Sequence, residues 1–439
     1  MRCDMKRLAL QTLVDWKNKK NRKPLIINGA RQVGKTWLME EFGKNYYTEV
    51  LNINFEKNTR IRTLFEADLD PKRLMLGLEV EHGHKIDVEN TLIIFDEIQA
   101  MPQAITSLKY FYEEMPLYHI IAAGSLLGVT LHSGVSYPVG KVDSMELYPL
   151  NFTEFLCALG EEQLAFQISE NNLDMIAVFK DKLLDYLKQY MFIGGMPEVV
   201  KNFAKNKDFQ EVRNIQNQIL KDYRNDFSKH IPKTILPKVL LVWDAIPAQL
   251  SKENKKFIYN QVIEKGRAKD FEDAITWLND SGLIYKVHRL SKPYLPITGY
   301  IEENIFKLFL LDVGLLSAKS KLDLRLLLEG DALFTEFKGA IAEQYVLQEL
   351  KSIRDVELSY WGNDTGSAEV DFVLQCASKV IPVEVKSGTN LKAKSLKTYM
   401  DKYSPTYAVR TSLADYKQTD NLYDIPLYMI ENIQSFCGN

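Results

Sequence analysis

The chain has 439 residues, 46% hydrophobic and 26% charged, with 55 basic and 58 acidic side chains and a formal net charge of -3. That length exceeds one compact core and predicts two or three domains, and the apolar share excludes a disordered chain. The near-neutral balance offers no global attraction to nucleic acid, no stretch approaches the roughly 18 apolar residues of a membrane span, and the start lacks a signal-peptide core, so a cytoplasmic protein without membrane contact is expected.

The first predicted strand, Leu25-Ile26-Ile27, leads into Gly29-Ala30-Arg31-Gln32-Val33-Gly34-Lys35-Thr36, and a helix is predicted from Lys35 to about Phe42. A glycine-rich loop of this spacing wraps a nucleoside triphosphate. Its glycines let backbone N–H groups approach phosphate, Lys35 neutralises the outer phosphates, and the Thr36 hydroxyl ligates Mg2+. Val50 to Phe55 is a second strand. Leu92-Ile93-Ile94-Phe95 reads as a strand covered on both faces, as in a parallel sheet, and it ends in Asp96-Glu97. Asp96 is placed to share the magnesium with Thr36, and Glu97 to orient and deprotonate the attacking water. The strand from His119 ends at Ser125, which reads equally as a sensor of the γ-phosphate of ATP and as a turn residue. Strands separated by helical stretches imply an open α/β sheet.

From about Phe152 to Asp226 the pattern is helical and is read as a lid. Within it Asp181 to Met191 carries Leu183, Leu184, Leu187 and Tyr190 at helical spacing, ending at Gly194-Gly195-Met196-Pro197. From about Ile231 the order of helices and a hairpin is winged-helix-like. Ala268 to Asp280 places Phe271, Ala274, Ile275 and Leu278 on one side, and Gly282 closes the helix before the strand at Leu283–Val287. Its other side carries Lys269, Asp270, Glu272 and Asp273, and three carboxylates repel phosphate. A protein partner is therefore expected there in preference to DNA.

Near the end, Phe337 to Leu350 is a predicted helix, and Ala368–Leu374 and Val380–Lys386 read as neighbouring strands. Asp371 points away from Val370 and Phe372, so Asp371 and Glu384 can meet across the ladder and bind Mg2+, with Glu343 of the helix aimed at the same metal. Lys386 shares a side with Glu384. A carboxylate pair with a lysine suits metal-assisted phosphodiester cleavage, the lysine positioning the nucleophile. Other Glu-x-Lys triplets, at Glu253-Asn254-Lys255, Glu336-Phe337-Lys338 and Glu349-Leu350-Lys351, read as surface charge. Lys392, Lys394 and Lys397 read either as phosphate-backbone contacts or as a solvated helix face. Cys3, Cys157, Cys376 and Cys437 are scattered and the six histidines show no ligand spacing, which argues against a zinc site or a disulfide framework.

The chain resembles, over nearly its full length, a prokaryotic family of AAA-type P-loop ATPases with a C-terminal PD-(D/E)XK, restriction-endonuclease-like domain. The resemblance rests on Gly29 to Thr36, Ile94-Phe95-Asp96-Glu97-Ile98-Gln99, Glu146-Leu147-Tyr148-Pro149-Leu150, Phe192 to Glu198, and Glu369-Val370-Asp371-Phe372 with Glu384-Val385-Lys386. It implies a Walker A and Walker B pair in the additional-strand class, in which Glu97 marks an ATP-hydrolysing enzyme, and it implies a nuclease core of Glu343, Asp371, Glu384 and Lys386. Where family members show Gly-Arg before the Tyr-Pro-Leu segment this chain has Gly140-Lys141, and lysine lacks the bidentate guanidinium contact, so no catalytic arginine is assigned there.

The expected fold is α/β: a P-loop ATPase core at 1–151, a helical lid at 152–230, a winged-helix-like module at 231–325 and a nuclease-like domain at 326–439. The expected ligands are ATP and Mg2+, with DNA as a candidate substrate and oligomers as a candidate assembly. Two functions follow: an ATPase gating a nuclease, or an ATP-dependent switch whose C-terminal domain is catalytically silent and binds a partner.

Overall fold

The structure, a computed structural model, describes residues 6–125, 137–252, 255–323, 335–363 and 365–438, without the side chains of 335–337. The chain divides into two compact units: Lys6–Tyr148 with Asp280–Leu283, and Pro149–Asn279 with Ile284–Asn439. Among the described residues no helix is long and apolar enough to cross a membrane.

The amino-terminal unit begins with α1 (Ala9–Lys17), β1 (Leu25–Asn28), α2 (Lys35–Tyr46) and β2 (Glu49–Asn54). It continues through α3 (Thr59–Ala67), α4 (Pro71–His82), β3 (Thr91–Asp96), α5 (Pro102–Glu114), β4 (His119–Ala123) and β5 (Asp143–Glu146). The five strands form one parallel sheet in the order β2-β3-β4-β1-β5. Strand β4 is thus inserted between the strand before the glycine-rich loop and the strand ending in Asp96. The apolar runs at β1, β3 and β4 are buried because helices cover both faces. On one face Phe55, Phe65 and Phe95 pack edge to face, with centroids 5.3 to 5.7 Å apart.

The second unit opens with helices α6 (Phe152–Ala158), α7 (Glu162–Ser169), α8 (Leu173–Val178), α9 (Lys180–Ile193), α10 (Pro197–Asn206), α11 (Phe209–His230) and α12 (Leu236–Leu250). It goes on with α13 (Ala268–Asp280), β6 (Ile284–Leu290), β7 (Ile301–Leu310), α14 (Val313–Lys319), α15 (Thr335–Lys351), β8 (Val356–Gly362), β9 (Glu369–Cys376) and β10 (Lys379–Val385). It ends with α16 (Lys394–Tyr403), β11 (Ala408–Ser412), β12 (Lys417–Thr419), β13 (Leu422–Pro426) and α17 (Ile433–Phe436).

Helix α9 forms where the periodicity places it, burying Leu183, Leu187 and Tyr190. It stops at Gly194-Gly195 because the chain there crosses others at backbone distance. A Cβ on Gly194 would overlap the Asp312 carboxylate, and one on Gly195 the Leu150 carbonyl. Asp312 accepts the Gly195 N–H at 2.6 Å and the Leu315 N–H at 2.9 Å, capping α14. Helix α13 buries Phe271, Ala274, Ile275 and Leu278 as predicted, together with Trp277, and leaves Lys269, Glu272 and Asp273 exposed.

The hairpin after α13 departs from the expected partition. Strands β6 and β7 belong to one eight-stranded mixed sheet, β12-β13-β11-β10-β9-β8-β6-β7, in which β6 runs parallel to β8 through Arg289↔Tyr360 and Leu290↔Trp361. The helical segment 152–230, the module 231–325 and the domain 326–439 therefore fall within one unit. The link is hydrogen bonding: β6 pairs with β7 along one side, and its last two residues, Arg289 and Leu290, pair with β8 on the other.

Buried carboxylates tie α6 to α15 and the terminal segment. The N–H of Phe152 is held by Glu349 Oε1 at 3.0 Å, while Asn151 Nδ2 and Thr153 Oγ1 donate to Glu431 Oε2 at 2.8 and 3.1 Å. Glu349, read from sequence as surface charge, is 1% exposed: at an i+6 position from Glu343 it turns inward to satisfy a helix N-terminus. Burial and the neighbouring Glu154 push the Glu431 carboxyl up to about 8, and burial, Glu431 and Glu154 hold Glu349 well above the usual carboxylate range. The phenol of Tyr345 faces the same pair.

A carboxyl raised in the folded state stabilises the fold fully below its unfolded value of 4.5, and that contribution is lost as pH rises through about 8. The melting temperature of the chain is expected to fall over this window. Glu431→Gln should flatten the fall, leaving the variant at least about 2 °C ahead of the native chain at pH 8. Scanning calorimetry from pH 5 to 8.5 checks it, and parallel curves would contradict it.

Candidate functional sites

In the amino-terminal unit the glycine-rich loop turns through positive φ at Gly29 (136°), Gln32 (65°) and Gly34 (93°). These angles fold successive N–H groups toward one side. Gly29 also lies against β5, where a Cβ would overlap the Leu147 carbonyl oxygen. Helix α2 starts at Lys35 after Gly34 with no side-chain cap, so its first N–H groups keep their capacity for an anion. Lys35 is 8% exposed and its Nζ donates to the carbonyls of Gly29 and Ala30, both at 2.7 Å. Burial pushes its ammonium down to about 8, against the pull of Glu97, Asp96 and Glu146.

Thr36 Oγ1 lies 3.2 Å from each oxygen of Asp96, and Asn54 Nδ2 donates to Asp96 Oδ2 at 3.2 Å. Burial, then the charge of Glu97, raises the Asp96 carboxyl. A buried carboxylate beside a hydroxyl at a strand end is a donor set suited to Mg2+. Glu97 adopts φ 51°, an uncommon left-handed conformation for its type, and accepts from Gln99 Nε2 at 2.6 Å. Ser125 is buried, and its hydroxyl accepts from Arg31 Nε at 3.0 Å. Lys141 pairs with Glu113 at 2.9 Å on the surface. The structure thus gathers Arg31, Lys35, Thr36, Asp96, Glu97 and Ser125, with Ala30 and Val33 buried in the loop itself. The parts missed are Asn54 and Gln99. Only the register Asn54↔Asp96 reveals the first, since it sets both side chains at one strand end.

A second cluster lies in the other unit. Asp371 on β9 accepts the Val385 N–H at 2.8 Å, which sets Asp371 beside Glu384 on β10. Lys386 Nζ reaches Glu384 Oε1 at 2.7 Å, and Glu343 comes in from α15. All four predicted residues converge. The oxygens Glu343 Oε2 and Glu384 Oε2 are buried without a hydrogen-bond partner. Burial with the charges of Glu343 and Glu384 holds the Asp371 carboxyl well above its ordinary range. Burial raises Glu384 too, against the pull of Lys386, whereas Lys255 and Lys307 outweigh burial at Glu343 and lower it. Crowded carboxylates with orphaned oxygens fit a divalent cation.

Two lysines in this cluster escape the sequence reading. Lys255, taken for surface charge, is paired with Glu343, while Glu253, Asn254 and the Glu336 side chain lie outside the described residues. Lys307 on β7 is fully buried, 2.5 Å from Glu369 Oε1 and 3.9 Å from Glu343 Oε2. Burial alone would lower its ammonium, but Glu369, Glu343 and Asp371 hold it well above the usual lysine value. Lys307 comes from the hairpin that shares this sheet, so spacing along the chain gave no signal of it. Lys392, Lys394 and Lys397 are exposed at and before the start of α16.

Residues 21–156 match a family described as an AAA domain. That segment is an AAA-type P-loop domain. Residues 184–325 and 338–430 match two families described as domains of unknown function, DUF8612 and DUF4143. An uncharacterized protein of Methanocaldococcus jannaschii is 26% identical over 200 residues, 45% of this chain and 39% of that protein, so the match spans less than half the length of this relative. The Walker-type ATPase of Pyrococcus abyssi is 14% identical with a TM-score of 0.46, covering 72% of this chain and 95% of that one. RuvB of Thermotoga maritima is 12% identical with a TM-score of 0.30, covering 64% and 86%.

Proposed function

We propose that the AAA domain binds and hydrolyses ATP and that its turnover gates phosphodiester cleavage, with DNA as substrate, by the cluster on β9 and β10. Lys35 holds the outer phosphates, Thr36 and Asp96 hold Mg2+, Glu97 orients and deprotonates the attacking water, and Ser125 reports the γ-phosphate. Bound Mg2+ neutralises charge that develops on the phosphates. In the other unit Asp371 and Glu384, with Glu343, hold a second divalent cation, and Lys386 positions the water. What supports this half is a pair of buried carboxylate oxygens, Glu343 Oε2 and Glu384 Oε2, that accept no hydrogen bond, the former with the Lys307 ammonium 3.9 Å away.

One observation favours the second reading, a switch with a silent C-terminal domain. The Lys255 ammonium rests on Glu343 and supplies a positive charge a cation would otherwise bring. Plasmid nicking in Mg2+ or Mn2+ separates the two. The native chain is expected to nick, and Glu384→Ala to lose at least about 100-fold of that rate. No nicking by either protein would leave only the switch.

A further inference from the structure

Glu49 opens β2 and His82 closes α4, and these two ends meet in the amino-terminal unit. Gly83 follows with φ +91°, donating its N–H to the Glu79 carbonyl at 2.8 Å, and this left-handed reversal folds His84 back over His82. The two imidazole centroids are 4.1 Å apart. Both Nε2 atoms face one oxygen, Glu49 Oε2, at 3.2 Å from His82 and 2.8 Å from His84. One ligand atom from each of the three side chains lies within 4.8 Å of the others. The turn at Gly83 brings together two histidines that stand two apart in the chain, and Glu49 joins them from a strand 33 residues earlier, a convergence that spacing along the chain did not predict.

Glu49 Oε2 has lone pairs for an N–H from each imidazole, and with those protons displaced both Nε2 atoms and the oxygen turn lone pairs toward one point. The carbonyl end of α4 adds negative potential at His82. A single cation can take all three atoms as ligands.

We propose that Glu49, His82 and His84 bind a borderline divalent cation of the zinc class, with water completing the shell. Two imidazoles and one carboxylate suit Zn2+, Co2+ or Ni2+, and disfavour Mg2+, which takes oxygen ligands. The ion would fasten the first residue of the edge strand β2 to the end of α4.

The test is calorimetric titration of the full chain with Zn2+ in saturating Mg2+, which fills the oxygen-only sites, beside the Co2+ visible spectrum. The native chain is expected to bind one equivalent that His82→Ala/His84→Ala loses, with affinity falling at least about tenfold. Should the double variant fail to fold, His84→Ala serves, because that side chain is 53% exposed and removing it disturbs little packing. Equal Zn2+ binding by native and variant chains, or no Zn2+ binding and no Co2+–imidazole absorption in the native chain, overturns the site.

Discussion

Lys35→Ala is expected to abolish ATP turnover, by at least about 10²- to 10³-fold. The side chain does two jobs that alanine cannot. Its ammonium is a buried positive charge at the loop, held against desolvation by Glu97, Asp96 and Glu146. It also satisfies the Gly29 and Ala30 carbonyls, both at 2.7 Å. Losing it removes the counter-charge for phosphate and leaves those carbonyls without their partner, so nucleotide affinity should fall together with turnover. Phosphate release and calorimetric ATP binding check both, and native turnover in the variant would remove the loop from the mechanism.

Glu97→Gln is expected to separate binding from chemistry. The amide keeps the size of the side chain and can keep the contact with Gln99, now at 2.6 Å, but it cannot take a proton from water. Nucleotide should bind as tightly as to the native chain while turnover falls about 10²- to 10⁴-fold. The unusual φ of 51° at this position supports a selected orientation. A variant that turned over ATP at the native rate would show that another group orients the water.

The parallel sheet was legible because β1, β3 and β4 are apolar runs with charged or glycine-rich ends, the composition of interior strands flanked by helices. The loop at Gly29–Thr36 was legible for a similar reason: few other functions need those residue types in that order. Asp371 and Glu384 followed from alternation along two strands, since antiparallel pairing converts adjacent positions into neighbours. What alternation cannot carry is the third dimension. Lys255 and Lys307 reach the same carboxylates from segments 88 and 36 residues before Glu343. Glu349 reads from sequence as surface charge, and only the α6 N-terminus that its carboxylate holds explains its burial. The approach of His82 to His84 depends on one glycine torsion, which no periodicity encodes.

The parallel pairing of β6 with β8 has a consequence for how the chain can be divided. A break between residues 325 and 326, natural on sequence grounds, would unpair Arg289 and Leu290 from Tyr360 and Trp361, and would part Lys307 from the acids that compensate its buried charge. The buried lysine would lose its counter-charges in one fragment and the acids their cation in the other, so evolutionary shuffling of this C-terminal region should carry the hairpin along with it.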